Sequence, residues 1–384
     1  ANDDRVPVMI AIARIQDGDH GREGVSPFKL ALLADIVRVH PTISAQEFAR
    51  YQDVDLAYLI ERVVDRIHDD QVKWLVRYGV APRLLTKEVV EGVLVPFMVQ
   101  GMRGQTDQDD ATQDPSVEPQ LDTPPFPVRA AQAIDIDVKL LWETLYRYTA
   151  EYSWVIEDEA VGALRFHPDV IEPMRRLLRK HQTAGRRILS DLHLACARYY
   201  EQRAQTDAAN RAQWLGEAVY HQLQGDAASA DAFWLRLLQA ASDQETIVAL
   251  AEEAVREPLI FDEPAREAAD EMLRFGAAVR ARAHFEVARW IAASREDPSP
   301  DDWRAVDRHL ATIDSLGAAA GQAAPAADID YLRGRSLFAQ RQPQRALEIC
   351  QRALRNPASP ANEMEFRMLT GQILRALDQP EAVE

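Results

Sequence analysis

The sequence has 384 residues, 47% of them apolar and 27% charged, with a formal net charge of −17. Such a chain builds two or three domains with a sizeable core, which excludes global disorder. The acidic balance excludes a domain-wide basic footprint for nucleic acid and opposes binding to an anionic membrane; only a local basic patch stays open.

Ala, Leu, Arg, Glu and Gln dominate, which favours helix. The first helix is predicted over 27–39, with Ser26 as N-cap, Pro27 at the first helical position and Phe28, Leu32, Ile36 and Val39 at helical spacing. A short helix follows Ser44 with Phe48 inward. Residues 54–68 carry a stripe of Leu56, Leu59, Ile60, Val63 and Ile67, and 70–80 one of Val72, Leu75 and Val76. Thr86 caps a helix to about Met102, with Val89, Val90, Val93, Leu94 and Phe97 inward; Pro96 is expected to bend it. Residues 103–127 are acidic, proline-bearing and nearly free of large apolar side chains, and read as a disordered insertion.

Order is expected to resume with a helix over 135–151, carrying Val138, Leu141, Trp142, Leu145 and Tyr148. Ser153–Glu157 and Ala163–His167 flank Asp158–Gly162 and read as a β-hairpin, the one convincing strand pair in the sequence. Three helices (70–80, 86–102, 135–151) and a hairpin at 153–167 follow the order of a winged helix. Beyond Asp169 helices are predicted at about 169–181, 184–204, 208–224, 227–241, 244–256, 263–275, 277–295, 300–316, 326–341, 343–356 and 360–378, the run of an α-solenoid. The fold class is therefore mainly α: a winged-helix-like domain with one hairpin, then a tetratricopeptide-like α-solenoid.

Gly334 and Gly371 lie thirty-seven residues apart, each mid-helix among apolar neighbours. Ala346 and Ala353 follow Gly334 by twelve and nineteen residues, the spacing of the small positions in a tetratricopeptide repeat. A partial unit begins at 360, and Pro380-Glu-Ala starts its second helix. Trp214–Tyr220 also resembles a first repeat helix, while 169–320 is more degenerate; generic helical hairpins with small residues at their crossings are the alternative.

No stretch approaches the roughly 20 apolar residues of a spanning helix, and the N-terminus has no basic region followed by an apolar one. A cytoplasmic protein is expected, without membrane partners. Cys196 and Cys350, both inside apolar helical patterns, read as core residues in a reducing compartment. The chain starts without Met and stops mid-pattern at Glu384, as an excised piece of something longer would.

None of the five lysines follows a glycine, so no G-x-x-x-x-G-K-[ST] phosphate loop exists; H-E-x-x-H, paired C-x-x-C and G-x-S-x-G are absent as well. No catalytic residue or metal ligand is assigned. Two local patterns stand out: Gly24-Val-Ser-Pro27 before an apolar helix, and Leu164-Arg-Phe-His167-Pro-Asp169, where His167 either neighbours a helix start or contacts an anion. Arg175, Arg176, Arg179 and Lys180 share one helical face, either a solvated face or an anion and nucleic-acid patch. The candidate recognition helix 135–151 is not basic, so nucleic acid is not the expected partner.

The order GVSPFKLALLADIV, LIERVVDRIHDDQVKWLVRYGVAPRLLTKEVVEGVL, WVIEDEAVGALRFHPDV and then tetratricopeptide-like helices resembles the C-terminal half of bacterial STAND-class signal-transduction ATPases. The resemblance implies a helical lid over 1–69, a winged helix over 70–182 with the insertion 103–127, and a superhelical sensor over 183–384. It implies nucleotide contact by Pro27, and phosphate contact by His167, which Pro168 separates from Asp169. ATP or ADP would belong to a longer parent protein; this chain alone has no cofactor and is not an enzyme. The expected function is regulatory: a protein ligand or partner domain is received by the helical repeats. A free-standing tetratricopeptide-type scaffold and a winged-helix DNA-binding regulator are the alternatives.

Overall fold

Capping side chains and apolar stripes set the elements. The computed structural model describes residues 4–16, 23–25, 30, 33–34, 37, 41–46, 69–99, 135–151, 155–158, 162–167, 171, 175, 182–256, 275–294, 298–317 and 326–378. The chain is mostly helical with small antiparallel strand pairs, and it divides into two compact units, Ala1–Tyr199 and Tyr200–Glu384. The insertion 103–127, the stripe of 54–68 and nearly all of the helix expected at 263–275 lie outside the described residues, as do Phe28, Leu32, Ile36 and Val39.

The first unit opens with α1 (Arg5–Ala13), β1 (Arg14–Gln16) and β2 (Glu23–Val25). β1 and β2 pair antiparallel, with Ile15 opposite Gly24. This corrects the expectation of a single strand pair: three-residue strands are too short to show an alternation.

Helix α2 (Asp70–Gly79) begins at Asp69, whose carboxylate accepts the backbone N–H groups of Gln71 and Val72 at 2.9 and 3.2 Å. Val72, Leu75 and Val76 are fully buried, as their spacing predicts. Thr86 caps α3, which starts at Lys87 and stays helical to residue 99. Just before Pro96, where a bend is expected, the helix widens into a π-turn over Val90–Leu94, and the Val95 N–H reaches the Val90 carbonyl five residues back. A proline nitrogen cannot donate, and a widened turn just before it absorbs the mismatch. Gly92 in that turn faces the Tyr199 ring; a β-carbon there would lie 3.2 Å from it.

Helix α4 (Val138–Glu151) buries Leu141 and Leu145 and packs on α2 and α3. Strands β3 (Val155–Asp158) and β4 (Ala163–Phe166) form the predicted hairpin, with Gly162 at φ +60° in its turn. One further tie was not legible in the sequence. Leu85, between α2 and α3, exchanges two backbone hydrogen bonds with Leu164 of β4, at 2.9 and 2.8 Å, in an antiparallel bridge.

Helix α5 (Gln182–Thr206) leads into the second unit, which contains α6 (Arg211–Gly225), α7 (Ala227–Ala240), α8 (Gln244–Val255), α9 (Ala277–Ala293), α10 (Pro300–Ser315), α11 (Ala326–Ala339), α12 (Pro343–Arg355) and α13 (Pro360–Asp378). These bounds fall within three residues of those read from the sequence. Ser299 and Asp302 form a capping box at the start of α10, with Pro300 in its first turn. Contacts alternate along the unit. Helices α6, α8, α9, α11 and α13 each touch the next in that series, while α7, α10 and α12 pack against them.

Three apolar cores line this series. One centres on Trp234, whose indole N–H donates to the Leu250 carbonyl at 2.8 Å. A second joins Phe285 and Trp303 with Ile329 and Leu332, and a third joins Ala346 and Cys350 with Phe366, Leu369 and Ile373. Cys196 and Cys350 are both buried, as their core reading implies.

Candidate interaction surface

The residues singled out in the sequence are not gathered into one site. Pro27, Arg176, Arg179 and Lys180 lie outside the described residues. His167 directly follows β4, is half-buried, and its carbonyl accepts the Ile171 N–H at 3.2 Å. Arg175 is half-buried and turned inward: its guanidinium donates to the carbonyls of Val80 and Ala81 at 3.0 and 3.1 Å. Arg175 thus supplies donors to two buried carbonyls of the loop after α2 from ninety-odd residues away.

The outer face of α4 is of mixed charge. Lys139 and Glu143 form an exposed pair at 3.9 Å, and Tyr146 donates to Glu157 of β3 at 2.6 Å. Leu140 and Ile156 are exposed beside them.

In the second unit, polar side chains tie successive helices. The Gly276 N–H, just before α9, donates to Asp231 of α7 at 2.9 Å. Within α9 itself, the fully buried Glu286 bridges Arg282 and Arg289 at 2.5 and 2.6 Å, and both guanidinium groups lie over the Phe285 ring. Asp307 on α10 accepts from Ser336 of α11 at 2.6 Å and from Gln340. The imidazoles of His284 and His309 share a hydrogen bond at 2.8 Å between α9 and α10. Burial, the His309 ring and Arg280 hold His284 down at about 4, and burial and Arg308 also lower His309. Both rings are therefore neutral near pH 7, one donating and one accepting.

The Gly276–Asp231, Asp307–Ser336 and His284–His309 contacts each join two helices. Among the described residues no three His, Cys, Asp or Glu side chains are placed to hold a metal ion, and no helix is long and apolar enough to cross a membrane. Met364 and Met368 on α13 are 60% and 62% exposed, and Leu374 is 45% exposed. They flank Gly371, where an added β-carbon would meet nothing within 4 Å. Sequence periodicity places these residues on a helix but does not say that this face is uncovered.

Comparison with protein-family models, with curated proteins and with solved structures finds no match to this chain.

Proposed function

We propose that this chain is the non-catalytic regulatory and sensing region of a STAND-type ATPase, a winged-helix-like unit followed by a tetratricopeptide-like solenoid that receives a protein ligand or partner domain. The observation that carries the reading is the order of the first unit: α2, the extended Leu85, α3, α4, then β3 and β4, with Leu85 bonded to β4. A winged helix has that order, and the small sheet closes only if the residue between its first two helices reaches the second hairpin strand. The alternating contacts of α6 to α13 support the solenoid reading, because each helical pair buries its apolar face against the next.

In this reading the helical repeats bind the ligand, and release of the closed state is a population shift biased by that binding. ATP or ADP is held by the parent protein's nucleotide-binding domain, with His167 and Pro27 reaching toward it. The test is the reading frame upstream of Ala1. A G-x-x-x-x-G-K-[ST] motif there is expected, and the joined polypeptide should hydrolyse ATP at a rate that rises when the repeats are occupied. A frame without that motif overturns the ATPase assignment and leaves a free-standing tetratricopeptide-type scaffold, which the helix stacking favours equally. A DNA-binding role gains no support from α4, whose lysine is paired with a glutamate, or from Arg175, which is tied to backbone carbonyls.

A further inference from the structure

Helices α9 and α10 pack side by side, and every carboxylate they carry is engaged. Glu286 is held by Arg282 and Arg289, Asp301 by Arg304 and Asp314 by Arg333. Asp307 accepts from Ser336 and Gln340, and Asp302 caps its own helix with Ser299. Two arginines remain. Among the described residues, the guanidinium groups of Arg280 and Arg308 have no hydrogen-bond or ion-pair partner.

Both stand beside the histidine pair. Arg280 precedes His284 by four residues, one turn along the same face of α9, and Arg308 adjoins His309 on α10. The two rings are half-buried and meet through their Nδ1 atoms at 2.8 Å, and neither Nε2 has a partner among the described residues. The charges that act on the rings are each other's and those of Arg280 and Arg308, all of them cationic. The helices packed against α9 and α10 leave the imbalance in place. On α8, Glu253 is held by Arg256, and Glu245 and Glu252 are exposed. On α7, Asp231 receives the Gly276 N–H, and on α11, Asp330 is held by Arg333 and Arg352 while Asp328 accepts from Asn362. In a chain of net charge −17, four basic side chains without an acid among them are a local exception.

We infer that Arg280, His284, His309 and Arg308 form a binding site for a tetrahedral dianion of the phosphate-monoester class, which takes up a proton together with its ligand. Two guanidinium groups balance two negative charges, and their paired N–H donors suit phosphate oxygens. A monocarboxylate would leave one arginine unbalanced. The histidines supply the link to protons. In the neutral pair one Nδ1–H donates to the other Nδ1, and only one ring carries an Nε2–H. One added proton keeps that bond and makes both Nε2 atoms donors. Without an anion, burial and the neighbouring cations oppose that proton and hold His284 at about 4. A bound dianion reverses the sign of the local field, so ligand and proton each favour the binding of the other. This site goes beyond the protein-binding reading of the repeats and does not rest on it or on an upstream ATPase.

The test is calorimetric titration of the full chain with sulfate and with inorganic phosphate. Sulfate keeps both charges across the range used, so any pH dependence of its binding belongs to the protein. Saturable binding is expected, tightening by up to about tenfold per pH unit as pH falls from about 7.5 toward 5.5, the limit set by uptake of one proton. Arg280→Gln and Arg308→Gln should each weaken binding by about tenfold or more, the usual loss for a hydrogen bond to a charged group. Neither guanidinium has a partner to lose, so the thermal midpoints of these variants should match or exceed that of the parent chain, which separates lost binding from lost folding. His284→Asn with His309→Asn should retain weak binding and lose its pH dependence. Three results overturn the inference: no saturable binding of either anion at the acid end of that range, binding unaltered by both arginine substitutions, or a pH dependence that survives in the histidine variant. A phosphoserine peptide compared with inorganic phosphate then tells the source of the ligand. Tighter binding by the peptide supports a modified side chain, and tighter binding by phosphate supports a free phosphate compound.

Discussion

The Nδ1 atoms of His284 and His309 lie 2.8 Å apart, joining α9 to α10 through a hydrogen bond that exists only while at least one ring is neutral. Both rings are lowered by burial, His284 to about 4. Arg280 and Arg308 flank the pair and oppose a further positive charge. An unfolded histidine titrates near 6.5, so between about 6.5 and 4 the unfolded chain binds protons that the folded chain refuses. Stability is therefore full above about pH 6.5 and falls as pH drops toward 4. The thermal midpoint of the parent chain should fall more steeply across that window than that of a His284→Asn, His309→Asn variant. Parallel curves would refute the pair's role.

Gly79 closes α2 directly against Phe166 of β4: an added β-carbon would lie 2.8 Å from that ring's Cε2. Phe166 is buried and cannot swing into solvent. Gly79→Ala should destabilise the chain by about 1–3 kcal/mol, the usual cost of overpacking. Phe166→Leu introduced into the Gly79→Ala background should cost less than in the parent chain, because the first substitution has already spoiled that contact. Urea titration of the four proteins measures the coupling, and strict additivity would show that the two residues do not meet.

Arg175→Ala removes two donors from the carbonyls of Val80 and Ala81. Leaving buried acceptors unpaired costs about 1–3 kcal/mol. The variant should lose stability by that amount, and Arg175→Lys should recover only part of it, because one ammonium cannot copy the guanidinium fork. If Arg175 instead served a solvated basic face, its removal would leave the urea midpoint unchanged and alter only the salt dependence of any nucleic-acid binding.

How far the sequence reveals this molecule depends on the range of the interaction. The helices of the second unit are set by local signals, namely caps such as Asp243 and Ser299 and stripes at helical spacing, and their bounds were legible to within three residues. The β3–β4 hairpin was legible from two β-type runs about Gly162. The Leu85–Leu164 bridge was not, because a one-residue bridge leaves no alternation. The inward turn of Arg175 was not either, since a basic run on a helix looks the same whether it faces water or a carbonyl far along the chain. The repeat spacing of Gly334 and Gly371 was legible in the sequence. That one glycine is covered and the other open is a tertiary fact with no local signature.

The junction between α10 and α11 rests on a polar tie. Asp307 accepts from Ser336, which is fully buried, and from Gln340, whose amide also reaches Ser336 at 2.8 Å. Thirty-seven residues after Ser336 stands Ile373, buried in an apolar core, so the same helical position is satisfied by packing in the next unit. The hydroxyl at 336 therefore depends on Asp307 in a way that the isoleucine depends on no polar partner. Asp307→Ala takes away the acceptor of the buried Ser336 O–H, whose oxygen keeps only the Gln340 amide, and should cost about 1–3 kcal/mol. Asp307→Asn keeps an acceptor for Ser336 but turns an amide toward Gln340, and should cost less. Ser336→Ala should be cheaper in the Asp307→Ala background than alone, because the O–H that has lost its acceptor is then removed. Calorimetric unfolding of the single and double variants checks the order; equal costs for Ser336→Ala in both backgrounds would show that the tie contributes nothing to holding α10 on α11.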